Sequence, residues 1–198
     1  MATFASDFES TSPTVPFQPQ SYLPATLQTH PYLFAQLFSP ALKVSSVSGN
    51  SMTKRDVPDG QQQPDAHWQT MIYPLGRLLR LQMQWRDWLG LGHTLNQVGL
   101  IALHLLPPQR ALPYFYTALI CAQQVPADLT LQTILFRHLG LTYLQMEQLD
   151  DALWCHYRAL DLAIQLDSDR WIGHSLVDLA IVYQALDDCE RAHHYCLI

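Results

Sequence analysis

A chain of 198 residues has room for one domain and a flexible extension, and 48% hydrophobic content is enough to build a buried core. Eleven Lys and Arg against seventeen Asp and Glu leave a formal charge of -6, which disfavours attraction to a phosphate backbone and argues against nucleic acid as a partner. No uncharged apolar run approaches the roughly 20 residues needed to span a bilayer, and no Lys or Arg precedes Lys43, so neither a membrane span nor a secretory signal is expected.

Residues 1–65 hold most of the prolines together with runs of Ser, Thr and Gln, such as STSPTVPFQPQ and GQQQPD. This composition cannot bury enough apolar surface to offset the entropy of ordering, so a disordered tail is expected. One apolar island interrupts it. PYLFAQLFSPAL, residues 31–42, places Leu33, Phe34, Leu37 and Phe38 on one side of a two-turn helix closed by Pro40. It reads either as a solvated tail segment or as a docking peptide.

From His67 to Trp85 the sequence is helix-like, with Pro74 kinking the helix or marking its true start. Residues 67–91 read as half of a repeat whose remainder recurs downstream. LRLQM at 79–83 aligns with LAIQL at 162–166, Gly76 takes the small position of Ala159, and two extra residues precede GHTL. Such a half repeat would cover the apolar face that an array otherwise leaves open.

The best-formed unit is LGLTYLQMEQLDDALWCHYRAL, residues 139–160. Leu139, Tyr143 and Met146 line one helical stripe, and Leu149, Ala152, His156, Ala159 and Leu160 line a second, so two helices joined by a turn are predicted. Gly140 and Ala152 are small enough for the two helix axes to approach closely. The pattern returns 40 residues later at Leu179, Ala180, Tyr183 and Ala192, and 41 residues earlier at Val98, Gly99, Ala102, Ala111, Phe115, Ala118 and Leu119. GHTL at 92–95 and GHSL at 173–176 echo each other across both steps.

A tandem hairpin with L-G-x-x-Y followed by small residues nine and sixteen positions later resembles the tetratricopeptide repeat. The resemblance covers about half the chain and implies an all-α, right-handed superhelical solenoid. The family unit is about 34 residues, so a 40-residue period resembles a longer subtype in which the second helix or the following turn is extended. The family's early Trp position holds Leu95, Phe136 and Leu176, and its second-helix aromatic holds Phe115, His156 and Cys196. Repeats are placed at 92–131 and 132–171, with a partial repeat at 172–198, giving a helical domain over 66–198. Pro108 is expected to open the second helix of the first repeat, running over 109–124, and Glu147, Asp150 and Asp151 to favour a helix N-terminus in the next.

What the resemblance implies for a site is geometric. The first helices of successive repeats line a concave surface, onto which His93, Asn96, Leu100 and Leu103, then Ile134, Arg137, Leu141 and Leu144, then His174, Val177, Ile181 and Gln184 would project. A stripe this apolar suits an amphipathic helix or apolar peptide, with Arg137 its one fixed positive charge.

Chemistry-bearing residues give little beside it. Cys189, His193 and Cys196 share one face of the last helix and could be imagined around zinc, but they coincide with packing positions of the previous repeat and one helix rarely supplies a tetrahedral set. No metal and no cofactor are expected. His93, His104, His138 and His174 have no identifiable nucleophile, and phosphate loops or nucleophile elbows are absent from the sequence. The tryptophans read as seals between hairpins, Trp85 and Trp88 being the exceptions most suited to an interface. The four cysteines fall in helical stretches rather than a loop framework, which fits reduced thiols in a cytoplasmic protein.

The expected function is a non-catalytic scaffold that binds a protein or peptide partner in the concave groove. The tail's Phe34, Leu37 and Phe38 could occupy that groove in an autoinhibitory variant. A third repeat that stops at Ile198 suggests a piece of a longer array, self-association over the last hairpin, or the regulatory part of a larger signalling or enzymatic protein.

Overall fold

A computed structural model describes residues 64–125 and 128–197. The tail expected over 1–65, with its apolar island, lies almost wholly outside these residues. Seven α-helices follow one another: α1 Pro64–Trp85, α2 Trp88–Leu105, α3 Leu112–Gln123, α4 Leu129–Gln145, α5 Leu149–Gln165, α6 Asp169–Ala185 and α7 Cys189–Leu197. A 3-10 turn, Pro108–Arg110, stands between α2 and α3.

The helices form an open row. Each packs on the next in sequence, and beyond that the backbones of α2 and α4 and of α4 and α6 come together, whereas the backbones of α3, α5 and α7 stay apart, α5 and α7 meeting through the Tyr157 and Tyr195 side chains. The first helices of the hairpins therefore crowd together on one side and the second helices spread on the other, which curves the array with α2, α4 and α6 inside. The core is continuous along the row. Leu95, Val98, Phe115, Leu135, Leu139 and Tyr143 are among its fully buried members. A separate cluster of Tyr157, Leu160, Leu176, Leu179 and Tyr183 joins α5 to α6.

From α4 onward the spacing is uniform, with helices starting at Leu129, Leu149, Asp169 and Cys189. α4, α5 and α6 have 17 residues each. The two helices of the α4–α5 hairpin are thus equal in length. Each of these helices ends on a residue in the left-handed region: Glu147 (φ 60°), Asp167 (φ 50°) and Asp187 (φ 58°). The turns satisfy the last carbonyls in the same way. The Gln148, Ser168 and Asp188 amides donate back to the carbonyls of Tyr143, Ala163 and Tyr183, and those of Glu147, Asp167 and Asp187 to Leu144, Ile164 and Gln184. Asp188 then accepts from the Arg191 amide at the start of α7, and Asp128 accepts from Leu131 at the start of α4.

Two expectations change at the N-terminal end. Pro74 neither starts nor ends α1 but lies inside it, where the missing amide costs one helical hydrogen bond. Arg86 is in the left-handed region (φ 55°), and its turn matches the one at Asp167, so α1 pairs with α5 at a constant step of 81 residues, the step that separates Gly92 from Gly173. No insertion is needed. Leu79, 2% exposed, stands where Leu160 does, and the position of Ala159 belongs to Leu78 rather than to Gly76.

The first hairpin turns differently. Leu106, ahead of Pro107, is forced to extended backbone (φ -127°, ψ 165°), which ends α2 without a left-handed residue. Pro108 opens the 3-10 turn, and the α-helix begins only at Leu112, with Pro113 in its first turn.

Candidate functional site: the inner face of the array

The inner side is built from α2, α4 and α6, and two polar links tie these helices together. Between α2 and α4, the His138 Nδ1–H donates to the Asn96 side-chain oxygen at 2.7 Å. Between α4 and α6, the Arg137 Nε–H donates to an Asp178 carboxylate oxygen. The Arg137 guanidinium also lies 5.8 Å from the centroid of the Trp171 ring, with the His174 ring edge-on to the same indole. Arg137 therefore does not offer a free positive charge to a ligand. Its charge is neutralised by Asp178 and its face rests on Trp171.

Asn96 and Leu103 are buried, at 4% and 7% exposure. Asn96 is committed to His138, and Leu103 belongs to the core. Leu100, Ile134 and Leu144 are half-buried, and Leu100 and Leu144 pack on the core. Of the residues expected on this face, those that stand open are His93 on α2, Leu141 on α4, and His174, Val177, Ile181 and Gln184 on α6. Leu141, Val177 and Ile181 are 40%, 53% and 46% exposed, a large apolar exposure for residues of this type.

Behind this face the hairpins close on matched pairs. A Cβ on Gly140 would lie 2.5 Å from the His156 ring, and a Cβ on Gly99 would lie 2.6 Å from the Phe115 ring. His156 is therefore the ring of its hairpin, as its position implied. Its Nδ1 is buried without a hydrogen-bond partner, 3.8 Å from Asp178, too far for a hydrogen bond. Burial holds the imidazole well below its usual range, at about 4, with Asp178 opposing and Arg137 reinforcing the shift. His138 is held at about 4 for the same leading reason. Both are neutral at pH 7, so neither is a free proton donor.

Successive repeats are also joined by hydroxyls. Tyr116 on α3 meets Tyr143 on α4, and Tyr157 on α5 meets Tyr183 on α6 at 2.8 Å and Tyr195 on α7 at 2.9 Å. Sequence reasoning named Tyr143 and Tyr183 but missed Tyr116 and Tyr157. Their signal was present as YTAL at 116–119 and YRAL at 157–160. Burial raises both hydroxyls well above the ordinary tyrosine range.

Other sequence candidates fall away from this face. Cys189, His193 and Cys196 are all exposed, because α7 packs along α6 with Tyr157 of α5 reaching Tyr195, whereas α5 has a helix packed along it on each of two sides. They are thus not core positions, and among the described residues no group of three or more His, Cys, Asp or Glu side chains is disposed to hold a metal. All four cysteines are free, with burial pushing the Cys121 thiol up to about 12. Trp171 seals the α4–α6 junction, Trp154 packs edge-on to Phe136 within its own hairpin, and Trp85 is 73% exposed. Among the described residues no helix is long and apolar enough to cross a membrane.

Residues 129–195, spanning α4 to most of α7, match the family model described as tetratricopeptide repeat. Residues 129–195 carry tetratricopeptide repeats. Comparison with curated proteins finds no match. The same close pairing recurs upstream of the matched residues, where Gly99 meets Phe115 in α2 and α3 as Gly140 meets His156 in α4 and α5. Tetratricopeptide repeats in general mediate protein–protein interaction and are typically non-catalytic.

Proposed function

We propose that this protein is a scaffold that holds one apolar face of a partner helix or peptide along α4 and α6. The observation that carries this reading is the set of Leu141, Val177 and Ile181, three large apolar side chains left open on the neighbouring inner helices α4 and α6. Three such contacts at about 1.5 to 3 kcal/mol each total roughly 5 to 9 kcal/mol before association costs, which supports no more than about millimolar binding, so a tighter partner must also contact the half-buried residues beside them. The neutralised Arg137 makes an acidic tail a poor ligand. An amphipathic helix with Leu, Ile or Phe at i, i+3 or i+4, and i+7 is the better match.

The test is selection of binders from a library of amphipathic helical peptides displayed on phage, using the full chain as bait. Selected peptides should lose binding to the Leu141→Asp, Ile181→Asp double variant and keep it for Ile164→Asp, an equally open position on the outer helix α5. Far-UV circular dichroism should be unchanged in both variants. Binders insensitive to the inner-face pair would remove this face from consideration.

A further inference from the structure

α1 is covered on one side only where its counterparts α3 and α5 are covered on two. Among the described residues α1 packs against α2 alone, while α3 and α5 each pack against the helix before and the helix after. The step of 81 residues places Leu78 and Leu81 where α5 has Ala159 and Leu162, and the step of 40 places them where α3 has Ala118 and Cys121. All four counterparts are buried, at 0%, 5%, 0% and 2% exposure. Leu78 and Leu81 are 43% and 38% exposed. Trp85, at 73%, continues the same stripe at i+7, where α3 and α5 have half-buried Val125 and Leu166. Because α2 stands to α1 as α6 stands to α5, the open stripe is the one that α4 covers on α5. Among the described residues, no first helix of its own hairpin stands beside α1.

We infer that residues 31–42 of this chain lie across that stripe, with Leu33, Phe34, Leu37 and Phe38 against Leu78, Leu81 and Trp85. Three observations select this occupant. The residues directly upstream of α1, KVSSVSGNSMTKRDVPDGQQQ at 43–63, have no apolar stripe to offer. Residues 31–42 carry Leu33, Phe34, Leu37, Phe38 and Leu42 with no charge, and they are the densest apolar stretch before α1. The connecting residues reach easily: at about 3.3 Å per extended residue they span roughly 70 Å, while Trp85 lies about 32 Å along α1 from Pro64. Such a tether sets an effective concentration on the order of millimolar, favouring the chain's own segment over a second molecule. Leu78 replaces the alanines that let α2 and α4 approach their partners closely, so the covering segment meets α1 through large side chains on both sides. This inference concerns the outer stripe of α1 and is independent of the inner face.

The test is disulfide trapping in the full chain, with Cys189→Ser and Cys196→Ser removing the two exposed thiols. Ser39→Cys, beside Phe38, is paired with Arg77→Cys, beside Leu78, or with Gln184→Cys on the inner face, and the proteins are oxidised at low concentration. The 39/77 pair should close within one molecule about tenfold faster than the 39/184 pair. Phe34→Glu with Leu37→Glu should abolish that advantage without changing helicity. Equal rates, preferential closure of the 39/184 pair, or disulfide-linked dimers from the 39/77 pair would each overturn the inference, the last by showing a second copy on the stripe.

Discussion

Gly140 faces the His156 ring with no room for a Cβ, which would lie 2.5 Å from Cε1 and Nε2, and Gly99 stands in the same relation to Phe115. The third repeat solves the pairing with other volumes, placing Ala180 and Cys196 at the corresponding positions. A ring opposite therefore demands glycine. Gly140→Ala should destabilise the protein by about 1 to 2 kcal/mol, the overpacking cost less the helix-propensity gain of alanine. Combining it with His156→Cys, the volume pair of the third repeat, should cost less than the sum of the two single changes. Urea unfolding of the four proteins measures the coupling; additivity would show that the glycine is not set by the ring.

Acid should unfold this protein through its buried imidazoles. His156 and His138 are held at about 4, chiefly by burial, against an ordinary value of 6.5. An unfolded chain takes up both protons near pH 6.5 and the folded one does not until about pH 4, so the stabilisation is complete above pH 6.5. It declines as the pH falls through that window. Each imidazole contributes up to about 3 kcal/mol. Thermal midpoints should fall steadily from pH 7 to pH 4, and His156→Phe, which copies the ring that Phe115 supplies to the first hairpin, should flatten the profile by about half. A profile unchanged by that substitution would assign the acid sensitivity elsewhere.

The hairpins were legible because helix pairing leaves a volume signature: a small residue at one position and a ring sixteen residues later, as in Gly140 with His156. The turns were harder to place because their left-handed positions hold Arg86, Glu147, Asp167 and Asp187, so no glycine marks them. That is why α1 aligned two residues out of register, by matching LRLQM to LAIQL, until the Arg86 turn fixed the step. On the inner face, spacing could not show which residues are consumed by contacts within the array. Asn96 and Arg137 look like ligand-reading groups in sequence, and both are bound to neighbouring helices, because the inner helices touch and their polar residues find each other first.

Those same turns offer a stabilising change. A residue with a Cβ in the left-handed region costs about 1 kcal/mol relative to glycine, and part of that is returned because glycine loses more entropy on folding. Glu147→Gly and Asp187→Gly should each stabilise the array by about 0.5 kcal/mol, read as a raised urea midpoint with an unchanged slope. Asp188→Gly, one residue on, should do the opposite, since Asp188 caps α7 through the Arg191 amide and pairs with the Arg191 side chain. Destabilisation by Glu147→Gly would mean that its side chain contributes more than its backbone conformation costs.

The ion pair of Arg137 and Asp178 decides how the inner face behaves towards salt and charge. Both side chains are partly buried, at 22% and 19% exposure, and the pair joins α4 to α6 where consecutive repeats must stay in register. Removing one member leaves the other beside the neutral rings of His138 and His156, so Arg137→Ala and Asp178→Ala should each destabilise the third repeat more than the double variant predicts by addition. A coupling of about 1 kcal/mol is expected for a pair at this depth. If Arg137 instead acted as a docking charge, Arg137→Ala would weaken peptide binding in a salt-dependent way while leaving stability intact. The geometry gives the reverse: a loss of stability, with the affinity of an uncharged apolar peptide changing only as far as α6 shifts. Double-mutant unfolding and peptide titration at two salt concentrations separate the two outcomes.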